Sequence, residues 1–362
     1  MSNTFGTLFK LTSFGESHGK AYGGVIDGCP AGLKVDFDFV FSELNRRKPG
    51  KSLSASARRE DDEVEFISGI FEGVTLGTPI AFLIRNKDAK PDEYDSLKNI
   101  FRPSHADYTY MAKYGIRDHR GGGRSSARET VVRVVAGALA KMILKLQGIH
   151  IIAFVSQIGD ICIPDNIVIA DESLVNQSTL YCPDKETGAR MEALLTALKE
   201  KGDSTGGVIN CVIRNVPAGV GEPVFGKLQS ALAHAMLSIN AAKGFEYGLG
   251  FKMASMMGSE VNDEFVSDKS GGRIKTKTNF SGGIQGGISN GEEIFFRVAF
   301  KPVPTIMKEQ STIDTEGNSV ILKPGGRHDV CVVPRAIPVV EAMAALVLVD
   351  QILLSSVGRL KQ

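Results

Sequence analysis

Four of the six histidines in this chain, His18, His105, His119 and His328, fall in loops rich in glycine and arginine. An imidazole titrates near neutral pH, so it can protonate a leaving group or take up a proton under physiological conditions. A guanidinium beside it recognises carboxylate or phosphate through a planar fork of donors. Together they suit acid–base work on a small anion. The densest such stretch is residues 119–130, HRGGGRSSARET. Its three consecutive glycines can take positive φ and let backbone approach a ligand closely. Ser126 and Glu129 fit an S-x-x-E capping box. From Ala127 onward, Val131, Val132, Val134, Val135, Ala138, Leu139, Met142, Ile143 and Leu146 keep a helical spacing, with Gly148 as the stop.

A glycine loop feeding a helix N-terminus is an anion site in waiting. Arg124 and Arg128 stand at the positive end of that helix, where cations are unfavourable. An anion bound between loop and arginines would remove the conflict, and truncating Arg128 would then leave the empty protein at least as stable. The alternative is a solvated turn with exposed arginines. Neither G-x-x-x-x-G-K-[ST] nor G-x-G-x-x-G describes the stretch.

Other constellations share this character. Gly15-Glu16-Ser17-His18-Gly19 follows a strand predicted over residues 5–12. In Arg102-Pro103-Ser104-His105-Ala106-Asp107, a cation and an imidazole can face one anion, with Asp107 orienting His105. A helix over 36–48 ends in Arg46-Arg47. The aperiodic 50–57 segment reads as a mobile loop between it and Arg58-Arg59, either a solvated face or a lid over an anion. His150 on a strand edge and His234 within a helix read as structural. Further helices are expected over 184–201 and 223–239. Strands are expected over 78–86, 149–159, 206–215 and 292–300, and a flexible polar loop over 260–281. A second glycine-rich turn covers 281–289. Gly325-Gly326-Arg327-His328-Asp329 precedes a strand and a core helix from Pro338.

The chain has 362 residues and a formal net charge of +1. That excludes a general polyanion-binding field, while clustered arginines favour a focused pocket. Five cysteines without a C-x-x-C pair point to a reducing compartment and away from a zinc site. The N-terminus lacks a signal-peptide core, so a cytoplasmic protein is expected. The apolar run 336–354 carries Glu341 and Asp350 and reads as a buried helix, not a membrane span. Interleaved strands, helices and glycine turns place the fold in the mixed α+β class, as one domain over 1–362.

Gly15-Glu16-Ser17-His18-Gly19, the 123–130 stretch GRSSARET and Gly326-Arg327-His328-Asp329, in this order and at fitting distances, resemble chorismate synthases over about residues 4–354. The resemblance implies a sandwich of antiparallel β-sheets around helices, assembled as a homotetramer. It implies loss of phosphate from C3 and hydrogen from C6 of 5-enolpyruvylshikimate-3-phosphate. This anti-1,4 elimination gives chorismate and needs reduced FMN (FMNH2) without net redox change. By position, His105 resembles the acid near the phosphate, and His18 the group that protonates or stabilises the flavin. Asp329, with Ser17, resembles the hydrogen-abstraction relay. Arg47, Arg102, Arg128 and Arg327 match arginines used for substrate or nearby cofactor. Arg124, Ser125, Ser126, Asn240, Ala241, Gly286, Lys301, Pro302, Val303, Pro304, Thr305 and Arg327 match flavin contacts. Arg47 also matches a position linked to NADP, which brings in NADPH as the flavin's reductant.

Two departures stand out. Lys301-Pro302-Val303-Pro304-Thr305 replaces Lys-Pro-Thr-Ser-Ser and loses side-chain hydroxyls. Leu53 stands where an arginine is common, leaving that anion contact to Arg58 or Arg59. An NADPH-consuming flavin reductase is the first alternative. A nucleotide- or RNA-binding module is the second, and near-neutral charge and the lack of an RNP-type aromatic strand oppose it.

Overall fold

A computed structural model describes residues 3–48, 62–86, 91–164, 172–267, 274–323, 329–356 and 358. Two five-stranded antiparallel sheets flank a layer of helices. The first sheet contains β1 (Thr4–Phe5), β2 (Lys10–Phe14), β3 (Ala21–Asp27), β4 (Val64–Phe66) and β5 (Ile80–Arg85), in the order β1-β2-β3-β5-β4. The second contains β6 (His150–Ile158), β7 (Ile161–Cys162), β8 (Gly207–Arg214), β9 (Ala242–Tyr247) and β10 (Ile294–Phe300), in the order β9-β10-β8-β6-β7. The longer helices are α1 (Phe37–Arg47), α2 (Asp107–Tyr114), α3 (Thr130–Leu146), α4 (Lys185–Glu200), α5 (Leu228–Leu237) and α6 (Val333–Ser355). This is the sandwich around helices that the sequence implied.

Helix α3 packs on the first sheet and α6 on the second, and the two helices cross where both are small. A Cβ on Gly137 would lie 2.2 Å from Ala342 Cβ and 2.5 Å from its Cα, so only glycine permits the approach. One hydrophobic cluster runs through both sheets and these helices.

Helix α6 is long and apolar enough to cross a membrane, yet 83% of its most apolar window is buried in the protein. Its two carboxylates work inside the fold. Asp350 accepts hydrogen bonds from the amides of Thr7, Leu8 and Phe9 at 2.9, 2.6 and 2.9 Å. Those amides form a turn after Gly6, whose φ is +95°. The strand expected over 5–12 is therefore the hairpin β1–β2, because a carboxylate 340 residues away satisfies the turn.

Glu341 takes Arg46 Nη1 at 2.6 Å, Lys141 Nζ at 2.5 Å and the Ala153 amide at 3.0 Å. Glu43 completes the group, with Arg46 at 2.7 Å and Lys141 at 2.5 Å. Burial alone would raise the Glu341 pKa, but Arg46 and Lys141 outweigh it and hold the carboxyl below its ordinary 4.5. Such a group contributes stability that is present above 4.5 and is lost as pH falls below it. Glu341→Ala is expected to destabilise by roughly 3–5 kcal/mol, since it leaves buried cations in excess. The unfolding free energy from urea denaturation should fall by that amount near neutral pH, and the midpoint with it. A midpoint equal to that of the parent protein would mean the quartet contributes nothing.

Three further sequence expectations are corrected. The helix over 223–239 begins only at Leu228, after an open turn at residues 217–227. The 260–281 segment holds the end of a short helix, Gly258–Val261, and the paired strands Phe265–Ser267 and Ile274–Thr276. Residues 329–332 form no strand, and α6 starts at Val333 with Pro338 inside it. The 50–57 loop, including Leu53, lies outside the described residues, as do Arg58, Arg59 and Gly325 to His328.

Candidate active site

The loop between β2 and β3 is pinned from β5. Asn86 Nδ2 donates to the carbonyls of Glu16 at 3.1 Å and Gly19 at 2.8 Å. Within the loop, Ser17 Oγ lies 3.1 Å from His18 Nδ1, and the His18 ring meets the Tyr94 ring edge-on at 4.8 Å. The glycine run packs directly on this pair. A Cβ on Gly121, where φ is +84°, would fall 2.6 Å from His18 Nδ1 and 2.9 Å from Ser17 Oγ. Two motifs 100 residues apart therefore share one surface because Gly121 has no side chain.

The 102–107 loop joins them there. Arg102 Nε and Nη2 each donate to Asp107 at 2.8 Å, and Nη2 also donates to the Gly121 carbonyl at 2.9 Å. Arg117 Nη1 stands 2.8 Å from Asp107 Oδ1. His105 Nδ1 is 2.9 Å from the same oxygen. Burial would raise the Asp107 pKa, but the hydrogen bonds from Arg102 and His105 overcome it and hold the carboxyl far below the usual range. Asp107 is therefore an anion that accepts a hydrogen bond from His105 Nδ1–H and leaves Nε2 open. This is the orienting role expected of it. The fork of Arg102 clamps Asp107 and the glycine loop and so shapes the site.

The 119–130 stretch forms two 3₁₀ turns, Gly123–Ser125 and Ala127–Glu129, before α3 begins at Thr130. The expected capping box does not form: Ser126 Oγ caps the turn by accepting from the Arg128 amide at 3.3 Å. Glu129 pairs instead with Arg133 at 2.8 Å, one turn on. Arg124 reaches back to Ser13 Oγ at 2.6 Å and the Gly15 carbonyl at 3.2 Å. Asn240 Nδ2 donates to the Ser125 carbonyl at 2.8 Å, and Lys301 Nζ donates to the Ser104 carbonyl at 2.8 Å. In the Pro302–Thr305 segment, the Val303 carbonyl accepts from Ser204 Oγ at 2.7 Å, so the backbone is anchored where the hydroxyls are missing.

A second cluster adjoins the first. The buried carboxylate of Asp62 takes Arg47 Nη2 at 2.6 Å and Arg128 Nη1 at 2.5 Å. Arg335 donates Nη1 to Asp329 at 2.5 Å and Nε to the Arg47 carbonyl at 3.2 Å. The conflict read between Arg128 and the helix dipole is thus answered inside the protein by Asp62. Arg128→Ala is now expected to cost about 1.5–3 kcal/mol, the worth of a hydrogen bond to a charged group. Thermal unfolding of the empty protein checks this. An unchanged melting temperature would return the arginine to the purely anion-binding role first read from the sequence.

Asp62 and Arg335 were missed from the sequence. Asp62 sits in the charged run RREDDE, which looks like a solvated face. Arg335 sits in an apolar segment with no local sign of a partner.

A planar cofactor with a phosphate tail fits the first cluster. Asn240 Oδ1 is buried with no hydrogen-bond partner. Gly286, at φ +60°, has nothing within 4 Å of where a Cβ would stand. Asn240 Oδ1 offers an acceptor, and Arg124 and Lys301 offer the cationic donors that such a group needs.

A family model described as chorismate synthase matches residues 9–353. The chain belongs to the chorismate synthase family. It is 59% identical to the chorismate synthase of Parabacteroides distasonis over 352 residues, covering 97% of this chain and 98% of that one. It is also 59% identical to that of Porphyromonas gingivalis over 358 residues, covering 99% and 97%. A crystal structure of chorismate synthase superposes with a TM-score of 0.75 at 33% identity, over 96% of this chain and 92% of the other. Family membership makes the chain a lyase that forms chorismate in the shikimate pathway, and the resemblance read from three motifs holds across nearly the whole chain.

Proposed function

We propose that this chain converts 5-enolpyruvylshikimate-3-phosphate to chorismate and phosphate by an anti-1,4 elimination that requires reduced FMN. The observation that carries the reading is the convergence of His18, His105, Ser125, Asn240 and Lys301 on the loops around Gly121. Reduced FMN, when bound, supplies the electron density that assists loss of phosphate and removal of the C6 hydrogen. Arg124, Ser125, Ser126, Asn240, Ala241, Gly286 and the Lys301–Thr305 backbone would hold it, with Arg327 as the resemblance implies.

The chain's own work is binding and proton handling. The substrate carries two carboxylates and a phosphate, which Arg47 and Arg128 would bind, held by Asp62 at the end of α1 and the start of α3. Asp107 keeps a proton on His105 Nδ1 and orients the ring so that Nε2 can deliver a proton as phosphate leaves. His18, braced by Ser17 and Tyr94, is the second proton-handling group. Asp329, fixed by Arg335, lies on the side of the arginine cluster and serves the hydrogen-abstraction relay. The homotetramer and NADPH as reductant belong to this same reading.

The flavin-reductase alternative is separated by stoichiometry. With limiting NADPH in the absence of oxygen, chorismate should exceed NADPH oxidised many times over. One product per NADPH would support the reductase.

A further inference from the structure

Five residues other than glycine have positive φ among the described residues: Glu72, Ser104, Tyr181, Asn215 and Ala241. Two of them are held by one lysine. The Lys301 amide donates to the Ala241 carbonyl at 3.0 Å, and its ammonium donates to the Ser104 carbonyl at 2.8 Å. Ser104 has φ of 55° and Ala241 of 67°. Each such conformation costs on the order of 1–3 kcal/mol and persists only where its surroundings impose it. Ser104 immediately precedes His105, and Ala241 immediately follows Asn240.

We propose that Lys301 is a positioning residue: it clamps Ser104 in the left-handed conformation and so fixes His105 relative to the cofactor-side loop. The turn is otherwise closed only locally, by the His105 amide on the Arg102 carbonyl at 3.2 Å. Asp107 sets the imidazole's rotation, but the backbone direction into His105 depends on Ser104. Lys301 spans 197 residues to hold it. An ammonium has three donors, so this bond leaves capacity for an anionic group bound beside it. Burial and the neighbouring Lys243 lower the Lys301 pKa. The loop that contacts cofactor would thereby also align the proton donor.

This inference rests on the reading that His105 handles a proton in the reaction. The test is a double-mutant cycle between Lys301→Met and Ser104→Gly, with kcat measured at saturating reduced FMN and flavin affinity measured separately. Glycine takes positive φ without cost, so it removes the need for the clamp. Lys301→Met alone should lower kcat about tenfold, the equivalent of roughly 1.4 kcal/mol of released strain. In the Ser104→Gly background the same replacement should lower kcat by less than about threefold, while weakening flavin binding equally in both backgrounds. Lys301→Arg, which restores a donor, should recover most of kcat. An equal kcat loss in both backgrounds, or a loss abolished by saturating flavin, would reduce Lys301 to a cofactor contact and overturn the proposal. The His105→Ala variant keeps the two failures apart. If it is inactive while the cycle is additive, only the clamp is wrong; if it is fully active, the role of His105 is wrong and the clamp falls with it.

Discussion

Replacing His105 with alanine is expected to lower turnover by about 10²–10⁴-fold, the usual reach of a positioned acid or base. The expectation rests on geometry. Nδ1 is committed to the Asp107 carboxylate, which is also paired with Arg102 and Arg117, so the ring has one defined tautomer and orientation. Substrate binding should change much less, because the guanidiniums of Arg47 and Arg128 are held by Asp62 and not by this loop. The measurement is kcat beside substrate Kd for the variant, with its unfolding midpoint as a control. Near-normal turnover would remove His105 from the mechanism. A collapse of binding with unchanged turnover would make it an anion contact.

The parts of this molecule legible in its sequence are those set by local rules. The apolar spacing after Glu129 gave α3, the helix expected over 184–201 is α4, and Gly148 gave the left-handed stop after α3. The clustering of histidine and arginine in glycine loops was also readable, and so was the pairing of Asp107 with His105 two residues away. What escaped depends on partners far along the chain. Asp350 folds residues 5–12 into a hairpin, and Asp62 answers the charges of Arg47 and Arg128. Gly121 carries the 17–18 and 119–126 motifs into contact, although its own neighbours only announce a flexible backbone. The start of α5 was placed too early because Pro223 looks like a helix-opening proline, whereas the chain turns until Leu228. No periodicity encodes any of these, because each is a choice made by tertiary contact.

The proposed flavin requirement agrees with the site's own chemistry. The histidines of the loop cluster, His18 and His105, are imidazoles, and Asp107 is pinned far below the range in which a carboxylate is basic. Hydrogen at C6 of the substrate is not strongly acidic, so side chains of this kind do not suffice to remove it. Buried Asn240 Oδ1 without a partner and the open edge of Gly286 mark where an additional group would sit. Omitting flavin is therefore expected to abolish turnover, an effect larger than that of any single substitution discussed above. Oxidised FMN should bind and leave the enzyme silent. The decisive measurement is an anaerobic assay with 5-enolpyruvylshikimate-3-phosphate and photoreduced FMN, following chorismate and phosphate together. One reduced flavin should support many turnovers with no added reductant, and its spectrum should change on substrate addition and return at exhaustion. Chorismate accumulating with no flavin present would contradict the account.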